Sequence, residues 1–178
     1  MLLILIVVGL VVFVSLLWFV HPRFSPVPFF PTQNQDLNLI IEKLNLRSGD
    51  TLGDLGTGEG VIIFKAAKIK GVTCVGVEIN PILYLFMWLK RIFHPHRRQI
   101  ELRRDDFLTT DLTKITHLYL YLSKPYLNKV MKRVVTNPKL NVYRIISYMY
   151  HPQMNILKNQ YSMKKCKGKN FVFVLTKR

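Results

Sequence analysis

Apolar residues follow two rhythms along this chain, preceded by one unbroken run. Residues 1–20, from Met1 to Val20, carry no charge, and at about 1.5 Å per residue the run is long enough to cross a hydrocarbon core of roughly 30 Å. It predicts a transmembrane helix. A cleaved signal peptide would need a basic start, a shorter apolar stretch and a small-x-small site, and none is present. Leu37, Ile40, Ile41 and Leu44 then recur at helical spacing, predicting an amphipathic helix that ends before the turn Arg47-Ser48-Gly49-Asp50. Beyond the turn, strand and helix patterns alternate. Strands are predicted near 51–56, 73–79, 100–106, 117–122, 143–150 and 170–176, with a weaker one near 160–166. Helices are predicted near 59–69, 81–93, 108–115 and 125–135, the last with Leu127, Val130, Met131 and Val134 on one stripe.

Alternation of this kind predicts an α/β fold of the Rossmann-like, doubly wound type, with a mainly parallel sheet covered by helices on both faces. The closing segment departs from it. Tyr161–Cys166, the tight Lys167-Gly168-Lys169-Asn170 connection and Phe171–Thr176 predict an antiparallel hairpin. The expected organisation is therefore an anchor over 1–20, a connector over 21–33 and one domain over 34–178. Pro22, Pro26, Pro28 and Pro31 make the connector a semi-rigid extended spacer.

Charge sharpens the picture. Lys and Arg number 26 against 10 Asp and Glu, a formal net charge of +16. Every Lys and Arg follows Trp18, an interfacial anchor near the end of the apolar run, and the first is Arg23. Positive residues mark the inner side of a membrane, so a single-pass protein is expected with its domain on the cytoplasmic or organelle-inner side. Such an excess suits anionic lipid, nucleic acid or mere compositional bias. The anchor in the same chain puts the lipid surface first and makes nucleic acid the lesser partner. Trp88, Lys90, Arg91, Phe93, Arg97 and Arg98 interleave aromatic and basic groups as an interfacial helix end does, although a solvated basic face would look the same. Cys74 and Cys166 suit a reducing compartment and no disulfide framework.

Five of the ten acids, Asp54, Glu59, Glu78, Asp105 and Asp106, fall at predicted strand ends or in a glycine loop. In an open α/β sheet the carboxyl ends of the strands line the ligand crevice. A negative pocket in a positive protein points to S-adenosylmethionine, whose reactive sulfur is a sulfonium. Asp54-Leu55-Gly56-Thr57-Gly58-Glu59-Gly60 follows a strand and opens a helix, and glycine leaves room for a ligand against the backbone. Its spacing is G-x-G-x-G. An acid beside the loop would repel the pyrophosphate of a dinucleotide, yet suits the amino-acid end of S-adenosylmethionine. Glu78 ends the next strand, about 20 residues after the loop, where a carboxylate accepts from both ribose hydroxyls; nicotinamide folds share that feature. Ile79 and Asn80 follow it. Asp105-Asp106-Phe107 closes the third strand, with an acid for the adenine amino group and an aromatic ring to line the base.

These residues resemble the class I, seven-stranded S-adenosylmethionine-dependent methyltransferases. The resemblance implies cofactor binding by the loop at 54–60, by Glu78 at the ribose and by Asp106, or Asp105, at adenine. The order of apolar helix, Phe30-Pro31-Thr32, glycine loop and Glu78-Ile79-Asn80-Pro81 is more narrowly similar to the membrane-tethered lysine methyltransferases of the ATP synthase c-subunit and the adenine nucleotide translocase, and to their bacterial relatives. It covers roughly residues 25–125. It implies protein-lysine methylation of a membrane-associated protein.

The fourth strand runs into Ser123-Lys124-Pro125-Tyr126, similar to the Asn-Pro-Pro-Tyr type of loop in amino-group methyltransferases. That makes Ser123 and Tyr126 candidates for the catalytic side, though Ser123 and Lys124 depart from the pattern for base methylation. A strand end leading into a helix with proline in its first turn would read the same. The five histidines lack ligand-spaced partners, so no metal is expected. Three other readings stay open: a methyltransferase for a lipid, quinone or other small molecule, a non-catalytic cofactor-binding scaffold, and a nicotinamide-binding protein.

Overall fold

The structure, a computed structural model, describes residues 1–20 and 30–178 other than residue 158, with the backbone alone described for 16–20. Strands β1 (Thr51–Leu55), β2 (Thr73–Val77), β3 (Ile100–Arg103), β4 (His117–Leu120) and β5 (Arg144–Tyr148) run parallel. The hairpin β6 (Tyr161–Lys167) and β7 (Phe171–Lys177) completes one sheet in the order β3-β2-β1-β4-β5-β7-β6, with β7 antiparallel to both neighbours. All seven strands lie where the pattern predicts them.

Burial explains the order. Every residue of β4 is buried, as is all of β1 after Thr51, the mark of strands covered on both faces. Lys164, Lys165 and Lys167 put charge on β6 at the sheet edge, where cationic side chains discourage pairing with another chain. One apolar cluster packs α5 (Lys124–Thr136) against the sheet through Leu127, Val130, Met131 and Leu118. The other, on Ile40, Leu44, Ile62, Ile63 and Met87, collects α2 (Leu37–Leu44), α3 (Val61–Ala66) and α4 (Pro81–Ile92). The chain leaves β1 for β2 and β3 on one side and returns to β4 on the other, so the β1/β4 junction is the switch point where such folds bind ligands.

One expectation fails. No helix forms over 108–115; that stretch is a series of turns. Asp106 and Asp111 accept from the following backbone N–H groups, at Leu108 and Thr113, and such local bonds compete with helix. Arg133 donates to the Thr109 and Thr110 carbonyls, and Arg103 to that of Asp111, consuming acceptors a helix would use.

Helix α1 (Leu2–Val20) forms, but among the described residues no helix is long and apolar enough to cross a membrane. Side chains are described only to Ser15. The Trp18 side chain and connector residues 21–29 lie outside the described residues.

Candidate functional site

At the carboxyl end of β1 the chain must turn at once into α3. It does so through Gly56, Gly58 and Gly60, all with positive φ, at 75°, 56° and 75°. A side chain at Gly60 would also meet Phe64 at 2.7 Å. Gly56 and Thr57 donate to the Val77 carbonyl at 2.9 and 3.0 Å, fastening the loop to the end of β2. Glu78, the next residue, accepts from Gly58 N at 2.9 Å through one carboxylate oxygen and from Asn80 N at 2.9 Å through the other. Its carboxylate is thereby fixed across the loop, with lone pairs left for a ligand. Asp54 is held on the opposite side by the Thr57 hydroxyl, at 2.8 Å.

Asp54 is 3% exposed and Glu78 5%. Burial pushes the Asp54 carboxyl up to about 7; Glu78 adds to the rise and the Thr57 hydrogen bond opposes it. Burial likewise raises Glu78 against the backbone bonds that hold it. Among the described residues neither carboxylate has an ion-pair partner. Two buried, uncompensated carboxylates flanking a loop without side chains form a place for a cation.

The cleft between them encloses about 760 Å³, counting its open mouth. It brings together Asp54, Gly56, Thr57, Gly58, Glu59, Glu78, Ile79 and Phe107 from the expected set. Gly60, Asn80, Asp105, Asp106, Ser123 and Tyr126 are not on its wall. Each has a local occupation. Gly60 caps α3 in the left-handed conformation. Asn80 caps α4, accepting from Ile82 N and Leu83 N at 2.9 and 3.3 Å. Asp105 and Asp106 accept from the backbone of the turn they start. Ser123 precedes α5, and its carbonyl begins that helix's ladder at Leu127. Tyr126 stands edge-on to Phe107, with ring centroids 5.8 Å apart, and buttresses the cleft from behind.

Nine wall residues lie outside the expected set, and the hydroxyl-bearing ones among them are Thr32 and, at the end of the fourth strand where acceptor-side groups are expected, Tyr119 and Tyr121. Tyr119 pairs with Asp54 in register across β1 and β4, and its hydroxyl lies 2.8 Å from that of Thr32. Tyr121 lies two residues on, with its ring edge-on to Tyr148 at 4.9 Å. With Phe30 and Pro31 they make the side of the cleft away from Glu78 largely aromatic. The signal for Tyr119 is topological: once β4 is set beside β1 at a switch point, its end must face the acid of β1. Thr32 sits in the Phe30-Pro31-Thr32 segment, which carried the resemblance without being given a place in the site.

A family model described as ANTKMT methyltransferase domain matches residues 54–164. No curated protein matches the chain. Among solved structures, the chain is similar to an RNA methyltransferase from Salinibacter ruber in complex with S-adenosyl-L-homocysteine, with a TM-score of 0.72 and 21% identity over 83% of this chain and 93% of that one. A dimethyladenosine transferase from Plasmodium falciparum has a TM-score of 0.69 at 13% identity, over 84% and 64% of the two chains. A precorrin-6y C5,15-methyltransferase from Geobacter metallireducens has 0.63 at 14%, over 83% and 89%. At such identities these likenesses speak for the fold.

Proposed function

The chain belongs to the ANTKMT methyltransferase family, class I S-adenosylmethionine-dependent methyltransferases, and from that membership we propose a membrane-anchored enzyme that methylates lysine side chains of a membrane-associated protein. The observation that carries the reading is the pairing of two walls in one cleft. Buried Asp54 and Glu78, without ion-pair partners among the described residues, suit the charged methyl donor. The aromatic wall of Phe30, Tyr119 and Tyr121 suits the aliphatic stem of a lysine side chain. The apolar run over 1–20 supports anchoring, with the basic domain on the cytoplasmic or organelle-inner side.

S-adenosylmethionine supplies a methyl carbon already activated by its sulfonium. The residues of the chain bind and align. Glu78 would hold the ribose hydroxyls, the side-chain-free glycine loop would let the donor lie against the backbone, Asp54 would face its α-ammonium group, and Phe107 would flank the base. The lysine must arrive neutral, which at pH 7 costs about 4 to 5 kcal/mol from a pKa near 10.4. The aromatic wall excludes water and disfavours the ammonium, and the proton leaves to solvent before transfer. No dedicated base is required, and alignment carries the rate.

Incubating the protein with labelled S-adenosylmethionine and membranes, followed by mass spectrometry, tests this. Label on lysine of a membrane-associated protein is the expected result. Label recovered only in extractable lipid or quinone would select a small-molecule acceptor, which the aromatic wall also suits. Donor binding with no transfer to any fraction would leave a scaffold.

A further inference from the structure

Helix α4 turns its core side inward through Leu83 and Met87, yet its outer side is apolar as well. Leu85, Phe86, Trp88, Leu89 and Ile92, with Phe93 just past the end, are between 36% and 84% exposed. A helix packed on a sheet normally sends polar residues outward. Here residues 80–100 contain no acid at all. Cations gather at the C-terminal end of the helix instead: Lys90, with its ammonium 5.8 Å from the Phe86 ring, and Arg97, which donates to the Ile92 carbonyl at 3.4 Å, followed by Arg98. Beside them runs an open groove walled by Lys65, Lys68, Lys90, Phe64, Phe93 and His94. It shares Glu59 and Val61 with the methyl-donor cleft.

We propose that the outer face of α4 and this groove form a docking surface for an anionic lipid bilayer. The aromatic and aliphatic side chains enter the boundary between headgroups and acyl chains, and the lysines and arginines meet lipid phosphates. Charge complementarity selects this occupant. A second copy would set one basic rim against another in a chain of net charge +16. Nucleic acid would meet the cations but leave six large apolar side chains in water. Covering by α1, which is wholly uncharged, would bury the apolar face and leave Lys65, Lys68, Arg97 and Arg98, which have no ion-pair partner among the described residues, unmatched. An anionic bilayer satisfies both. Docked this way, the donor cleft opens next to the membrane surface, where a lysine at that surface is within reach. The inference rests on the membrane location proposed above and not on the methyl donor.

The chain has two tryptophans, so a full-length Trp18→Phe protein reports from Trp88 alone. It is mixed with vesicles of phosphatidylcholine, or of phosphatidylcholine and phosphatidylglycerol in equal parts, each with and without brominated acyl chains. The expected result is blue-shifted Trp88 emission, quenched by brominated lipid in the anionic vesicles and not in the neutral ones. Adding Arg97→Ser and Arg98→Ser should lower the docked-to-free ratio roughly thirtyfold, with the far-UV circular dichroism unchanged. A chain that floats with the vesicles while Trp88 stays unquenched overturns docking alone. So does equal quenching in both vesicle types, or a blue shift without quenching, which would mean that protein covers the face. A chain that floats with neither vesicle overturns the anchor and the docking together.

Discussion

The Tyr148 hydroxyl donates to the Asp36 carboxylate at 2.7 Å, across 112 positions of sequence. Asp36 is 1% exposed and also accepts from the backbone N–H groups of Lys169 and Asn170, at 2.6 and 3.0 Å. One carboxylate therefore ties the entry to α2 to the end of β5 and to the β6–β7 turn. A side chain at Gly168 would strike it. Burial opposes ionisation of Asp36, but its four hydrogen bonds outweigh that and hold the carboxyl below its usual range. Burial and the bond to Asp36 push Tyr148 up to about 12.

Asp36→Asn should destabilise the fold by about 2–3 kcal/mol, since an amide would turn its NH₂ toward donors and leave at least one of them unpaired. The pH dependence follows from the direction of the shift. A carboxyl with a depressed folded pKa contributes fully above its unfolded value of about 3.9, and the contribution is lost as pH falls through the lower folded value. Urea unfolding across the acid range should show a shallower loss of stability in Asp36→Asn than in the parent.

Asp54 behaves in the opposite sense. Its folded pKa is about 7, above the unfolded value, so the free protein should lose stability as pH rises from about 4 to 7, by roughly 1.4 kcal/mol for each pH unit. Affinity for the methyl donor should rise over the upper part of that window, because only the ionised carboxylate attracts the cation. Asp54→Asn should uncouple the two. It should stabilise the unliganded protein at mildly alkaline pH, weaken donor binding and flatten the pH profile, as read by thermal melting and calorimetry on the same samples.

Glu78→Gln tests the opposite wall of the cleft. An amide can accept through only one atom, so Gly58 N or Asn80 N loses its partner and the loop loses its fixed position. Donor affinity should fall about tenfold to a hundredfold, for one charge-assisted bond to the ribose and one in the loop. Circular dichroism should be unchanged. Unaltered affinity would mean that Glu78 is only a structural tie.

The parallel strands were legible because each is a short apolar run bounded by turn residues, and the hairpin because glycine and asparagine mark its turn. The cleft was legible where the chain itself must bend, at the glycines, and where an acid ends a strand. Asp36 was opaque, since its partners lie more than a hundred positions away and nothing local distinguishes it from a solvated acid. Periodicity predicts a helix where the turns at 108–115 form, because it records Leu112 and Ile115, both buried, but not the Arg133 guanidinium that takes the carbonyls. The Asn-Pro context of Asn80 is also that of a helix cap, the role its side chain performs.

Tyr119 and Thr32 give the sharpest test of which wall faces the acceptor. Their hydroxyls lie 2.8 Å apart, joining the segment ahead of the domain to the switch point beside Asp54. Burial raises Tyr119 well above its usual pKa, so the phenol stays neutral and acts by position, not as a base. Tyr119→Phe removes the link while keeping the ring. On the reading above, kcat should fall about tenfold through misplacement of the acceptor, with donor affinity by calorimetry unchanged. Thr32→Val should do the same, and the double variant should be no worse than either single one, because both remove one interaction. Should donor affinity fall instead, these residues belong to the donor side, and the acceptor wall narrows to Phe30 and Tyr121.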